Sequence, residues 1–303
     1  MNSIEKHTRN EANFIDTHSI IRLVVDSYIN EYNDRNSSKG IITGLPTGFY
    51  DLDYYTKGFQ KGNMILLAGR SFMGKAALAL SISRYVAIKE NKPVAYFCPR
   101  CSSKQVLTRL LSMDSEVNIV DIAYGKGNKD TGSKLKESAK RIAKTPLYLD
   151  DSSCITVNEI RNRCRKLKNR NELGLIVIDR LQFIAPDTRW RLCSIDKQKR
   201  SIMIGLKKLA VEMDCPVMVI SKLPEPVDLY DNKRPEITDL DCTDYSAQYS
   251  DVIIFMYQDR SLRGKIPEKD ILTDLIIAKN RSGKDGIVKL RPEFKYSRFV
   301  NVI

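Results

Sequence analysis

The sequence has little histidine, a single tryptophan and no long apolar run. Its only two histidines, His7 and His18, lie near the N terminus, so the body of the chain has no imidazole to offer a metal. No stretch of eighteen or more apolar residues occurs, which excludes a membrane-spanning helix on hydropathy. The first twenty residues are polar and carry charges of both signs, unlike a signal peptide. Seven cysteines, an odd number scattered over the chain, argue against a disulfide framework and for a reducing compartment. Cys98-Pro-Arg-Cys101 has the spacing of half a zinc site, but Cys154, Cys164, Cys193, Cys215 and Cys242 form no second C-x-x-C, so two partly buried thiols following a strand are expected. Internal repeats and low-complexity tracts are also missing. A soluble, cytoplasmic protein with no membrane partner is the expectation.

What is present is charge and periodicity. A formal charge of +13 favours an acidic partner, of which nucleic acid is the commonest, the competing reading being a basic surface without a specific ligand. The length of 303 residues suits one large domain with a short appendage. Residues 1 to 40 read as an N-terminal segment and 41 to 303 as the main domain. In the segment, Phe14, Ile20, Ile21, Val24, Val25, Tyr28 and Ile29 recur at three- and four-residue spacing, predicting an amphipathic helix over Asn13–Tyr32, followed by a polar linker to Gly40. Such a stripe buries either against its own domain or against a neighbouring copy.

After the linker, apolar runs at Met64–Ala68, Val94–Cys98, Leu147–Leu149, Leu175–Ile178, Val217–Ile220, Val252–Tyr257 and Leu272–Ala278 predict strands. Helical stretches are expected at Lys75–Lys89, Ser103–Met113, Lys134–Ala143, Val157–Asn169, Lys197–Glu212 and near Tyr245. Apolar strands separated by helices imply an α/β fold, with a mostly parallel sheet covered on both faces. Ile287–Leu290 and Phe299–Ile303 are expected to form a hairpin that closes the sheet edge.

The chain is organised around Met64–Ala77, MILLAGRSFMGKAA, an apolar run breaking into a glycine-bounded loop. Gly69, Gly74 and Lys75 fit the phosphate-binding pattern G-x-x-x-x-G-K-[ST], whose amides cradle phosphates, whose Lys reaches the β/γ oxygens and whose last hydroxyl holds Mg²⁺. Ala76 stands where that hydroxyl belongs. Downstream, Leu175-Ile-Val-Ile-Asp179 is an apolar strand ending in a carboxylate, as a Walker B strand does.

The order Gly44-Leu-Pro-Thr-Gly-Phe-Tyr-Asp-Leu-Asp53, Met73-Gly74-Lys75, Ile155–Lys168, Gly174–Ile184, Lys233-Arg234-Pro235 and Ile277–Val288 resembles one family, the DnaB-type replicative DNA helicases, in their C-terminal RecA-like motor domain. The likeness runs from about residue 40 onward. The preceding helix resembles the linker helix joining motor subunits, and no part of the sequence resembles the family's primase-recruiting N-terminal domain. The resemblance implies a RecA-like P-loop fold, a hexameric ring around single-stranded DNA, and ATP with Mg²⁺ at the subunit interfaces. It implies that Gly69, Gly74, Lys75 and Asp179 line the nucleotide site, Asp179 supporting the metal. Lys279 and Arg281 would reach the neighbour's site, Arg281 as the trans arginine finger.

Four positions depart from the family. Arg100 occupies the place of the acidic residue that polarises the attacking water, and a guanidinium cannot accept a proton at neutral pH. Ala76 removes the metal hydroxyl, Lys222 replaces the Gln that senses the γ-phosphate, and Asp241 replaces a basic residue. The groups serving the chain's own nucleotide are altered while those serving a neighbour remain. Three readings follow: a nucleotide- and DNA-binding family member with impaired hydrolysis, a divergent but active ATP-dependent helicase, or a non-catalytic partner of replicative helicase subunits. For DNA, Arg189-Trp190-Arg191, backed by Lys197, Lys199 and Arg200, and Lys233-Arg234 combine cations with a stacking surface, the usual single-strand recipe. Trp190 packed at a subunit contact is the competing reading.

Overall fold

The computed structural model describes residues 21, 24–25, 42–169, 172–224, 234–240, 243–259, 262, 265, 267 and 270–302, with residues 243 and 244 in backbone only. The chain divides into two compact units, Met1–Thr43 and Gly44–Ile303. In the first, Ile21, Val24 and Val25 are helical, and the rest of the expected Asn13–Tyr32 helix, with the linker after it, lies outside the described residues.

The second unit is built on one nine-stranded sheet. Its strands are β1 (Met64–Gly69), β2 (Val94–Phe97), β3 (Leu147–Asp150), β4 (Leu175–Asp179), β5 (Val217–Lys222), β6 (Val252–Tyr257), β7 (Thr273–Asn280), β8 (Gly286–Glu293) and β9 (Arg298–Asn301). They lie in the order β3-β2-β4-β5-β1-β6-β7-β8-β9. The first six are parallel, and β7 to β9 add an antiparallel meander that includes the expected terminal hairpin. Each expected strand forms.

Burial explains why the central strands carry no polar alternation. All six residues of β1 are buried. Ile65 and Leu67 face a cluster with Leu78, Ile82 and Leu110, while Met64, Leu66 and Ala68 face one with Ile160, Met203 and Leu206. Helices Lys75–Ile88 and Ser103–Ser115 thus cover one face, and Val157–Lys168 and Ile195–Met213 the other. Each fully buried Leu or Ile contributes roughly 1.5–3 kcal/mol.

Helix starts follow side-chain caps more than apolar periodicity. Ser102 with Gln105 and Thr156 with Glu159 form capping boxes at the starts expected. The helix expected from Lys134 begins at Lys129, because Asn128 and Thr131 form a capping box there. The helix expected from Lys197 begins at Ile195, capped by Ser194. Two short helices, Tyr50–Thr56 and Ile119–Tyr124, have no counterpart among the sequence expectations.

Candidate functional site

The ends of β1, β4 and β5 meet at one sheet edge. The last residue of β1, Gly69, lies in register with Lys222, the last of β5, and Asp179 at the end of β4 pairs with Ile220. In an open parallel sheet this carboxyl edge is where ligands bind. The expected strand Val217–Ile220 therefore runs two residues further, and that extension brings Lys222 beside the glycine loop.

The loop is shaped for backbone approach. Gly74 has φ +84, and a Cβ there would fall 2.8 Å from the Phe299 ring, so another residue would be strained in its backbone and would push that ring aside. Phe72, in the middle of the loop, also adopts positive φ and is 84% exposed. Lys75 is buried, and its Nζ donates to the carbonyls of Gly69 and Arg70 at 2.6 Å each. This folds the ammonium over the loop that would hold a phosphate. Ala76 follows within the helix and carries no oxygen.

Asp179 is buried at 8% exposure, and its Oδ2 accepts a hydrogen bond from the Tyr96 hydroxyl at 3.1 Å. Burial raises its carboxyl above the usual range, while the Tyr96 bond and the nearby cations Arg180, Arg109 and Lys75 pull it back down. Tyr96, fully buried on β2, is a site residue that sequence reasoning missed; the only signal was a polar aromatic within an apolar strand beside β4.

Arg100 is exposed beyond the end of β2, and its guanidinium lies 5.4 Å from the centroid of the Phe183 ring. Arg180 lies 5.9 Å from the same ring. Phe183 belongs to a single turn after β4 in which Gln182 donates to Ser221 Oγ at 3.0 Å and to the Lys222 carbonyl at 3.2 Å. Gln182 also accepts from the Lys222 amide at 3.3 Å. Arg100, Phe183, Gln182 and Lys222 therefore form one connected rim. Gln182 and Phe183, like Arg180, were within a quoted motif but unassigned.

Magnesium requires near-octahedral oxygen ligation, usually through carboxylates, waters and phosphates. Here Asp179 is already bonded to Tyr96, Ala76 offers no donor, and the adjoining rim carries Arg100 and Lys222. This donor set does not fit a magnesium ion. Cys98 is buried, and its thiol, pushed up to about 12 by burial, donates to the Asp150 carbonyl.

Lys279 and Arg281 lie at the opposite end of the sheet. Arg281 donates to Asp251 Oδ1 at 3.1 Å, while the amide of Met64, the first residue of β1, donates to Asp251 Oδ2 at 2.8 Å. The phosphate loop begins six residues along β1, about 17–20 Å away at strand rise. Neither side chain can therefore serve the loop of its own chain. Lys279 donates to the carbonyls of Ala247 and Ser250, and burial together with the adjacent Arg281 holds its ammonium below the usual range. The β6–β7 pairing shifts register between Ile253 and Ile254, where Ile253 pairs with Lys279.

The expected DNA contacts separate. Arg189 stacks on Trp190 at 5.5 Å in a short turn at Thr188–Trp190, and Arg191 beside them is exposed. Arg200 stacks instead on Tyr245. Arg234 is engaged twice, with Asp274 at 2.7 Å and over the Tyr257 ring at 5.3 Å. Lys233, Asp241 and Cys242 lie outside the described residues. Among the described residues no helix is long and apolar enough to cross a membrane.

Residues 44–301 match the family described as DnaB-like helicase C terminal domain. The chain is 36% identical over 263 residues to the replicative DNA helicase DnaB of Geobacillus stearothermophilus, covering 87% of this chain and 58% of that protein. It is 34% identical over 280 residues to the replicative DNA helicase DnaC of Bacillus subtilis (strain 168), covering 92% and 61%. It thus spans about 60% of the length of these curated relatives. Among solved structures, the ATPase domain of G40P aligns with a TM-score of 0.83 at 29% identity, covering 92% of this chain and 99% of that one. A DnaB-like replicative helicase, solved with a view to its interactions with primase, aligns with a TM-score of 0.82 at 30% identity, covering 92% and 66%.

Proposed function

The chain belongs to the DnaB-like helicase C-terminal domain family, with the RecA-like motor fold its sequence led one to expect, and from that premise we propose that it binds a nucleoside triphosphate and single-stranded DNA while hydrolysing the nucleotide poorly. One observation carries this reading: the loop edge keeps Lys75 and its glycine cradle, but the rim beside it presents Arg100 and Lys222 instead of a group that accepts a proton. On binding, Lys75 exchanges its two loop carbonyls for phosphate oxygens, and the amides of the Gly69–Ala76 loop face the same phosphates. Arg100 stands where the family carries the acid, and one oxygen of Asp179 already accepts the Tyr96 hydroxyl.

Assembly follows the family pattern in this reading: copies of this chain, or this chain with intact replicative helicase subunits, form a hexameric ring through the N-terminal helix. Lys279 and Arg281, remote from the chain's own loop, complete the neighbour's site there. That remoteness favours a second, compatible role as a non-catalytic partner that supplies an arginine finger. Single-stranded DNA is held by Arg189, Trp190 and Arg191, with Lys233 and Arg234 as the companion pair. Arg234 must release Asp274 to join them.

The test is ATP turnover of the purified chain with and without single-stranded DNA. Loss of a general base or water-positioning group costs about 10²–10⁴-fold, and turnover at least about 10²-fold below an ordinary family member is expected. Mixing the chain with an intact relative tests the second role: Arg281→Ala in this chain should then lower turnover of the mixture below that of the mixture with the unmodified chain.

A further inference from the structure

Cys98 and Cys101 are brought together by a tight turn. The Cys101 amide donates to the Cys98 carbonyl at 3.0 Å, closing the turn Cys98-Pro99-Arg100-Cys101 between the end of β2 and Ser102, the cap of the helix Ser103–Ser115. Proline at the second position presets the turn's backbone. A turn of this kind holds its first and fourth Cα atoms within about 7 Å, and a disulfide spans Cα atoms about 4.4–6.8 Å apart. Both side chains also pack against the same core cluster. They differ in access: Cys98 is buried and its thiol donates to the Asp150 carbonyl, whereas Cys101 is partly exposed. Burial, helped by the Asp151 carboxylate and by Cys101 itself, pushes the Cys98 thiol up to about 12. Cys164 and Cys215 also influence one another, but both are buried, so neither offers a sulfur to an outside reagent.

We propose that Cys98 and Cys101 form a thiol–disulfide exchange site, which takes a low-molecular-weight disulfide and closes to a bond across the turn. The Cys101 thiolate attacks one sulfur of the small disulfide, forming a mixed disulfide and expelling one thiolate. Cys98 then gives its proton to water and attacks the Cys101 sulfur, which breaks the mixed disulfide and expels the second thiolate. Two protein thiols are oxidised, and one small disulfide is reduced to two thiols. Exchange of this kind needs only one reachable sulfur, because the second attacks from inside the fold. Reopening has to begin at the Cys101 sulfur and expel Cys98, a poor leaving group where it is buried, so the closed bond reopens slowly. Closure fixes the turn that carries Arg100 beside the Phe183 ring. In a reducing compartment such a bond is transient and responds to the redox state. None of this depends on the nucleotide-binding reading.

The experiment incubates the full chain with glutathione disulfide, quenches with acid, alkylates the free thiols under denaturing conditions and maps tryptic peptides by mass. Trypsin cuts after Arg100, so the bond leaves the Cys98 and Cys101 peptides joined until dithiothreitol separates them. That joined pair, with both alkylation sites lost, is the expected result for the unmodified chain. Cys98→Ala should stop at a glutathione adduct on Cys101, and Cys101→Ser should leave Cys98 free; circular dichroism checks that both variants fold, and the unmodified chain decides alone if they do not. Two alkylated cysteines in the unmodified chain, a glutathione adduct on Cys101 that never closes, or a bond from either sulfur to another cysteine would each overturn the inference. A glutathione adduct on Cys98 in Cys101→Ser would overturn the order of attack.

Discussion

Replacing Asp251 by Asn removes a buried charge that ties three elements of the fold together. Its side chain is 4% exposed and accepts from the Met64 amide at 2.8 Å, Lys207 Nζ at 2.6 Å and Arg281 Nη1 at 3.1 Å. Breaking a buried pair by removing one partner costs about 3–5 kcal/mol. Lys207 is 25% exposed and Arg281 55%, so water recovers part of that, and Asn keeps one acceptor; about 2–3 kcal/mol remains. In a domain of this size each kcal/mol moves the melting temperature by roughly 2–4 °C, giving a fall of about 5–10 °C. Thermal unfolding followed by circular dichroism reads this directly, and a urea melt should show a lower midpoint at unchanged slope. A Lys207→Met control should cost less, about 1 kcal/mol, because the Asp251 carboxylate keeps the Arg281 guanidinium and the Met64 amide as partners. A shift of under about 2 °C for Asp251→Asn would refute the claim that this carboxylate fixes the end of β1 and anchors Arg281.

Other perturbations test other parts. Asp53, buried beneath the Thr47 amide, is pushed up to about 6 by burial, above its unfolded value of 3.8. The folded state therefore binds this proton more tightly, so its stabilising contribution is complete below about pH 4 and is lost as pH rises through about 6. The change is up to about 3 kcal/mol, and Asp53→Asn should flatten the stability profile across that window. Asp114, 4% exposed, accepts from both Arg84 and Arg141, and Asp114→Asn should cost about 1–2 kcal/mol in urea unfolding. Leu66→Ala, in a fully buried strand, should cost about 2–5 kcal/mol by the same measurement. Restoring Ala76→Thr together with Arg100→Glu should raise ATP turnover at least about tenfold, and no gain would count against placing Arg100 at the position of the catalytic acid.

The central sheet was legible because strands buried on both faces have no polar side to hide: β1 and β6 are apolar throughout, and β4 and β5 are apolar up to Asp179 and Ser221 at their carboxyl ends. Helix bodies were legible by periodicity and their starts less so, since Asn128 capping the Lys129–Ile142 helix is a local hydrogen-bond event rather than a pattern of apolarity. The Tyr50–Thr56 helix escaped because Tyr50 and Tyr54 point outward and only Leu52 among its apolar residues is fully buried. Within the site, Lys75 and Asp179 were readable from motif spacing. The Tyr96 bond to Asp179, the pinning of Lys222 by Gln182 and the capture of Arg281 by Asp251 join residues 83, 40 and 30 positions apart, and only the register of the folded sheet brings them together. Arg234, read as a candidate DNA contact, is held by Asp274 on β7, a neighbour that no local pattern announces.

The most direct test of the whole account is ATP hydrolysis by this chain in saturating single-stranded DNA, measured beside the Geobacillus stearothermophilus helicase it resembles. Turnover lower by at least about 10²-fold, with nucleotide still bound, is the predicted result. Turnover equal to that of the relative would contradict the account, because Arg100, Lys222 and Ala76 would then be harmless at the very positions where they are argued to stop the reaction.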